Sequence, residues 1–251
     1  MIIVTGASGT LGTPLVRRLV RDGADVHGLS RRARRGGGVT WHAGDLAEGP
    51  AVLAEADTIV HLASDPFKKG ADVAQARGLL KAARPDARLV YISIVGIDRH
   101  PYSYYRTKLA VERMIESSGR PYTILRATQF HEFVARFFDA MSRGPAYIVP
   151  SRTSCRPVAA AEVAARLAEL ALGEPAGRVP DLGGPEVRGT KDLARTYMEI
   201  TGKRRPLIPV RLPGKTGRAF REGLHLASAP GGSQTWPEFL AERLLSSTPR
   251  P

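Results

Sequence analysis

The sequence predicts an α/β protein built on a doubly wound parallel sheet, completed by a small C-terminal lobe. Three observations carry this. Residues 2–4 form an apolar run that reads as a buried strand, and a glycine-rich turn leads from it into helically spaced Leu11, Leu15, Val16, Leu19 and Val20. Short apolar runs then recur at residues 24–29, 39–42, 58–62, 88–93 and 121–126, with helical segments between several of them. Strands alternating with helices at this pitch imply parallel pairing through right-handed crossovers. Finally, 251 residues of which 43% are hydrophobic suffice for a large core.

The first turn has chemistry of its own. A helix N-terminus presents unpaired N–H groups and the positive end of the helix dipole, and so attracts phosphate. Glycines let backbone turn sharply and approach an anion closely. Residues 6–11 therefore read as the seat of a dinucleotide pyrophosphate, with Gly6, Ser8, Gly9, Thr10, Leu11 and Gly12 as cofactor-binding candidates. The glycines fall at 6, 9 and 12, one residue longer in the turn than G-x-G-x-x-G. This spacing and the stretch TGASGTLG resemble the short-chain dehydrogenases/reductases and their atypical, NmrA-like relatives, NAD(P)-binding proteins of the Rossmann fold.

Asp22-Gly23 closes the first helix, and the second strand ends at Ser30-Arg31-Arg32 with no carboxylate. An acidic residue at that place would bind the ribose hydroxyls and select NAD. Arginine suits a 2′-phosphate, because its planar fork binds phosphate oxygens in pairs. The expected cofactor is NADP(H), held by Arg31 first and Arg32 second; the competing reading is two solvated arginines. After the third strand comes Gly44-Asp45-Leu46. The resemblance places such an Asp-Leu pair beside the adenine, while Asp45 equally suits the N-cap of a following helix. The fourth strand ends at Leu62-Ala63-Ser64, where the resemblance implies passage of the cofactor near its nicotinamide ribose. His61 reads as a strand residue rather than a catalyst.

A helix over residues 72–83 is broken by Pro85-Asp86, and the fifth strand follows. Next comes Pro101-Tyr102-Ser103-Tyr104-Tyr105-Arg106-Thr107-Lys108. Tyr104 and Lys108, four apart, share one face of a helix. A tyrosine titrates near 10, and a neighbouring ammonium favours the phenolate. This pair resembles the catalytic Tyr-x-x-x-Lys of the same family, where the lysine also holds the nicotinamide ribose; the alternative is a packed ring with a wet hydroxyl. The family's serine lies just past strand five. Here Ser93 stands one or two places early, with Ile94 or Val95 at the expected position. Ser93 is therefore a candidate in a departing pattern, and a lost oxyanion donor can cost roughly 3 kcal/mol.

The Tyr-Lys helix is expected to end near Ser117 with Gly119 as its cap, before a sixth strand. The loop after that strand covers the nicotinamide in the resembling family, which makes Gln129, Phe130 and His131 the substrate-pocket candidates. His131 reads as a surface histidine or a proton relay. Further on, the pattern gives a pocket-walling helix over 133–141, strands at 147–149 and 178–182, and a helix over 160–172. Thr190 is expected to cap a helix ending near 201. A strand near 207–210, a helix before Gly223, an exposed loop at 227–233 and a last helix over 237–245 complete the chain. The domains read as 1–150, a cofactor-binding core, and 151–251, which finishes the fold and, by resemblance, forms a small substrate lobe.

The net charge is +13, yet no aromatic-interleaved basic motif or zinc spacing accompanies it, so nucleic acid is not the expected partner. No apolar run nears the ~18 residues a membrane span needs. The first strand starts at residue 2, leaving no room for a leader, and the single Cys155 fits a reducing cytoplasm. Cys155 has no motif around it and reads as inert. The expected partner is a small-molecule substrate, no metal is expected, and a homodimer is left open. Two functions follow: an NADPH-dependent reductase of a quinone, enone or ketone with Tyr104 as proton donor, or a non-catalytic NADP(H)-sensing regulator. An isomerase or dehydratase that keeps its cofactor is a third.

Overall fold

The computed structural model describes residues 1–247 of the chain. It comprises two compact units that interleave along the sequence rather than meeting at residue 150. One contains residues 1–93, 103–126 and 160–180; the other contains 94–102, 127–159 and 181 onward.

The first unit is built on β1 (Ile2–Thr5), α1 (Gly12–Arg21), β2 (Val26–Ser30), β3 (Thr40–Ala43), β4 (Thr58–His61), α2 (Ala71–Ala82), β5 (Arg88–Ile94), α3 (Ser103–Glu116) and β6 (Tyr122–Ala127). The strands form a seven-stranded sheet in the order β3-β2-β1-β4-β5-β6-β9, whose last member is described below. The chain winds outward from β1 to β3, returns to β4, and winds out the other way. Ile3 pairs with His27 on one side and Ile59 on the other, all in parallel register. The central strands are buried on both faces, hence their unbroken apolar runs. The sheet core gathers Ile3, Leu53, Ile59, Leu79, Leu89, Tyr91, Val111 and Ile124. Helix α1 turns Leu15, Val16 and Leu19 inward, as their spacing predicts.

The second unit begins α4 (His131–Met141), β7 (Tyr147–Pro150) and β8 (Ser154–Cys155). The chain then returns α5 (Ala160–Leu172) and β9 (Gly177–Arg178) to the first unit. The alanines of α5 allow close approach to α1. β10 (Arg188–Gly189), α6 (Thr190–Thr201), β11 (Leu207–Val210), α7 (Gly214–Arg221) and α8 (Trp236–Ser247) belong to the second unit. There β7 pairs with β11 in parallel and β8 with β10 antiparallel. Its core is aromatic, with Tyr147, Tyr197 and Trp236 packed around the Phe138 ring, and the Trp236 indole N–H donates to Leu193 O at 3.0 Å.

Three expectations change. The strand foreseen over 178–182 is only two residues long, because Pro180 lacks the N–H that would extend it; an isolated bridge from Ala127 to Leu182 follows. Thr190 does not cap α6. Gly189 holds the cap position with no side-chain bond, and the Thr190 hydroxyl donates to Pro150 O at 2.5 Å. The loop at 227–233 begins buried, with Ala227 only 4% exposed.

Candidate functional site

Sheet winding reverses between β1 and β4, and a cleft beyond the carboxyl ends of such strands is where open α/β sheets take ligands. The glycine turn lies there. Gly6 has φ +67°, and a Cβ on it would come within 2.9 Å of Ala63 N at the end of β4. A Cβ on Gly12 would sit 2.2 Å from Gly6 O. Gly9 N donates to Gly6 O at 2.9 Å, which closes the turn. Gly9 is exposed, Ser8 and Thr10 are half-buried, and Leu11 packs its side chain into the core. Helix α1 has neither a side-chain cap nor an acidic residue in its first turn. The turn thus presents glycine backbone and an uncapped helix start, a donor set that fits a pyrophosphate.

Thr5 ties β1 to β4. Its Oγ1 accepts Leu62 N at 3.1 Å and Ala63 N at 3.2 Å, so its one proton goes to His61 Nδ1 at 2.9 Å. His61 therefore carries its own proton on Nε2. Burial, with the Lys108 charge, holds its pKa near 3, so the ring stays neutral. Leu62 and Ala63 are half-buried and Ser64 is exposed.

At the end of β2 the Ser30 hydroxyl donates to Arg32 O, which bends the loop. Arg31 and Arg32 are exposed, and neither guanidinium has an ion-pair partner among the described residues. Arg34 instead lies over the Trp41 ring at 6.0 Å. Asp45 caps a short 3-10 turn, Leu46–Glu48, through Ala47 N at 2.9 Å. Leu46 is 5% exposed, and its side chain packs into the sheet core.

Tyr104 and Lys108 stand one turn apart on α3, as their spacing predicts. Lys108 is 3% exposed, and its ammonium lies 4.2 Å from the centroid of the Tyr91 ring. Burial brings its pKa down to about 8, against the opposing pull of Asp72 and Glu112. The Tyr104 hydroxyl is 2.7 Å from Ser64 Oγ, and Ser64 Oγ donates to Asp72 Oδ2 at 2.7 Å. Asp72 and Tyr91 went unnoticed in the sequence. Tyr91 sits opposite His61 in the β4–β5 register, and the two rings stack at 5.3 Å.

Ser93 lies inside β5, not in the turn after it. Its buried hydroxyl has no hydrogen-bond partner among the described residues. Alternation puts it on the same sheet face as Tyr91, the face toward Lys108. His131 is neither a surface residue nor a pocket residue. It is 1% exposed, bonds Gln234 O at 3.0 Å, and stacks on Trp236 and Phe239. Gln129 and Phe130 are half-buried, their backbones tied to Val158. On α4, Phe133 and Phe137 are exposed. Burial pushes the Cys155 thiol up to about 11, so it stays protonated at neutral pH.

Fold and turn together define a dinucleotide-binding α/β protein. Residues 6–171 match the family model for NAD(P)H-binding proteins, and the chain belongs to that family. It is similar to the photosystem II assembly factor Ycf39 of Cyanophora paradoxa, 24% identical with 90% of this chain and 78% of that one covered. Among solved structures, the NADPH complex of the quinone oxidoreductase QOR2 of Escherichia coli matches at TM-score 0.82 and 18% identity, covering 97% of this chain and all of that one. UDP-glucose 4-epimerase of Thermus thermophilus, with NAD, matches at TM-score 0.74 and 18% identity, over 98% and 97% of the two chains. No helix among the described residues is long and apolar enough to cross a membrane.

Proposed function

We propose that the protein is an NADPH-dependent reductase of a small, electron-poor molecule, a quinone, enone or ketone. The observation that carries this is Tyr104 and the buried Lys108 one turn apart on α3, on the sheet that bears the glycine turn. Residues 6–12 would hold the pyrophosphate. Arg31 and Arg32 would hold a 2′-phosphate, since no carboxylate stands there to repel it. Bound NADPH would supply a hydride to the substrate. Tyr104 gives the proton: its O–H bond breaks, the proton passes to the substrate oxygen, and the Lys108 ammonium steadies the phenolate left behind. Water then returns the proton to Tyr104. The likeness in fold to a quinone oxidoreductase and to epimerases supports nicotinamide chemistry without naming the substrate.

The test is NADPH oxidation, followed at the nicotinamide absorbance, against a panel of quinones, enones and ketones. Turnover with at least one class, lost on Tyr104→Phe, is the expected result. Undiminished turnover by Tyr104→Phe removes the tyrosine from its role. A second reading, an NADP(H)-binding regulatory or assembly protein, is favoured by Ser93, which lies within β5 rather than past its end. Tight NADPH binding with no oxidation of any panel member would select it.

A further inference from the structure

Ser64 Oγ stands between two oxygens, 2.7 Å from the Tyr104 hydroxyl and 2.7 Å from Asp72 Oδ2. A serine has one proton and a carboxylate has none to give. Ser64 therefore donates to Asp72, and Tyr104 donates to Ser64. The direction of the chain follows from counting donors: phenol to hydroxyl to carboxylate. Asp72 is 2% exposed, in the first turn of α2, and its other oxygen accepts Asp65 N at 2.8 Å. A carboxylate so buried and so held has little freedom to turn away.

We propose that Asp72, acting through Ser64, is a positioning residue for Tyr104. It aims the phenolic O–H and opposes, from two hydrogen bonds away, the ionisation that the Lys108 ammonium promotes. The inference rests on the reductase reading for its catalytic meaning, but the hydrogen-bond chain stands without it. The titratable groups gathered around the Tyr91 ring come from several elements: Tyr104, Lys108 and Glu112 from α3, Asp72 from α2 and His61 from β4. Only Asp72 is joined to Tyr104 through Ser64.

The experiment labels the protein with tyrosine carrying 13C at Cζ and follows the Tyr104 signal against pH, assigned by its loss in Tyr104→Phe. Asp72→Asn keeps the size of the side chain and removes the charge. Its Tyr104 signal should titrate about one pH unit lower than in the parent. Ser64→Ala, at an exposed position, should shift the titration in the same direction, and adding Asp72→Asn to it should shift it less than Asp72→Asn does alone. In turnover, Asp72→Asn should lower kcat about tenfold with KM for NADPH within about twofold, and move the alkaline fall of kcat to lower pH. A Tyr104 titration unmoved by both single variants overturns the proposal. Shifted titrations in a protein that oxidises no NADPH uphold the positioning and defeat the reductase reading instead.

Discussion

The Lys108 ammonium lies against the face of Tyr91, 4.2 Å from the ring centroid, in a part of the sheet closed to water. The ring quadrupole offsets part of the lost hydration, but burial still brings the lysine down to about 8. Its charge is thus present below about pH 8 and lost above it. NADPH affinity, measured by fluorescence titration, should be level to about pH 7 and weaken as pH rises through 8. Lys108→Met should bind weakly and without that fall. The same pH dependence in both proteins would remove Lys108 from cofactor binding.

Arg31 stands exposed beyond β2 and has no ion-pair partner among the described residues. Arg31→Ala should weaken NADPH binding about ten- to a hundredfold and NADH binding less than about twofold, the worth of one charge-assisted contact. Equal losses with the two nucleotides would mean that the arginine does not read the 2′-phosphate.

Gly12 has no room for a side chain, since its Cβ would meet Gly6 O at 2.2 Å. Gly12→Ala should cost at least about a hundredfold in NADPH affinity by pushing the turn open, with the circular dichroism spectrum retained. Unaltered binding would show that the pyrophosphate sits elsewhere.

His61 is held neutral, its pKa lowered from 6.5 to about 3, chiefly by burial. The unfolded chain takes up this proton below pH 6.5 and the folded chain does not. Stability should therefore fall as pH drops from 6.5 toward 3, by up to about 1.4 kcal/mol per pH unit from this group. His42, His100 and His225 are lowered too and steepen the slope. Urea melts at pH 7 and pH 5 should show a smaller difference for His61→Asn than for the parent; an equal difference would count against a buried neutral ring.

Arg126 and Glu112 form a buried pair, Nε to Oε1 at 2.9 Å and Nη2 to Oε2 at 2.5 Å, with side chains 5% and 1% exposed. Arg126→Met leaves the carboxylate buried without its partner and should cost about 3–5 kcal/mol in urea unfolding. Arg126→Met with Glu112→Leu should recover most of it. A double variant as unstable as the single one would mean that packing, not charge, sets the loss.

How much of this was legible in the sequence follows from the distance over which each residue is determined. The Gly6–Gly12 turn is local, and so is the Tyr104–Lys108 spacing, and both were readable from short-range chemistry. The sheet strands were readable because burial on both faces leaves unbroken apolar runs. His131 was misread because the groups that bury it, Gln234, Trp236 and Phe239, arrive about a hundred residues later. Asp72 was passed over for a like reason: its partner Ser64 is near in the chain, but Tyr104 is brought in by another helix.

The interleaving of the two units bears on how the chain is made. Emerging from a ribosome amino end first, it cannot supply the seventh strand of the sheet, Gly177–Arg178, until well after β6, the strand it pairs with, is out. Synthesis halted at residue 150 would leave α1 without α5 beside it and the β6 edge unpaired, a template for aggregation rather than a free-standing nucleotide-binding module.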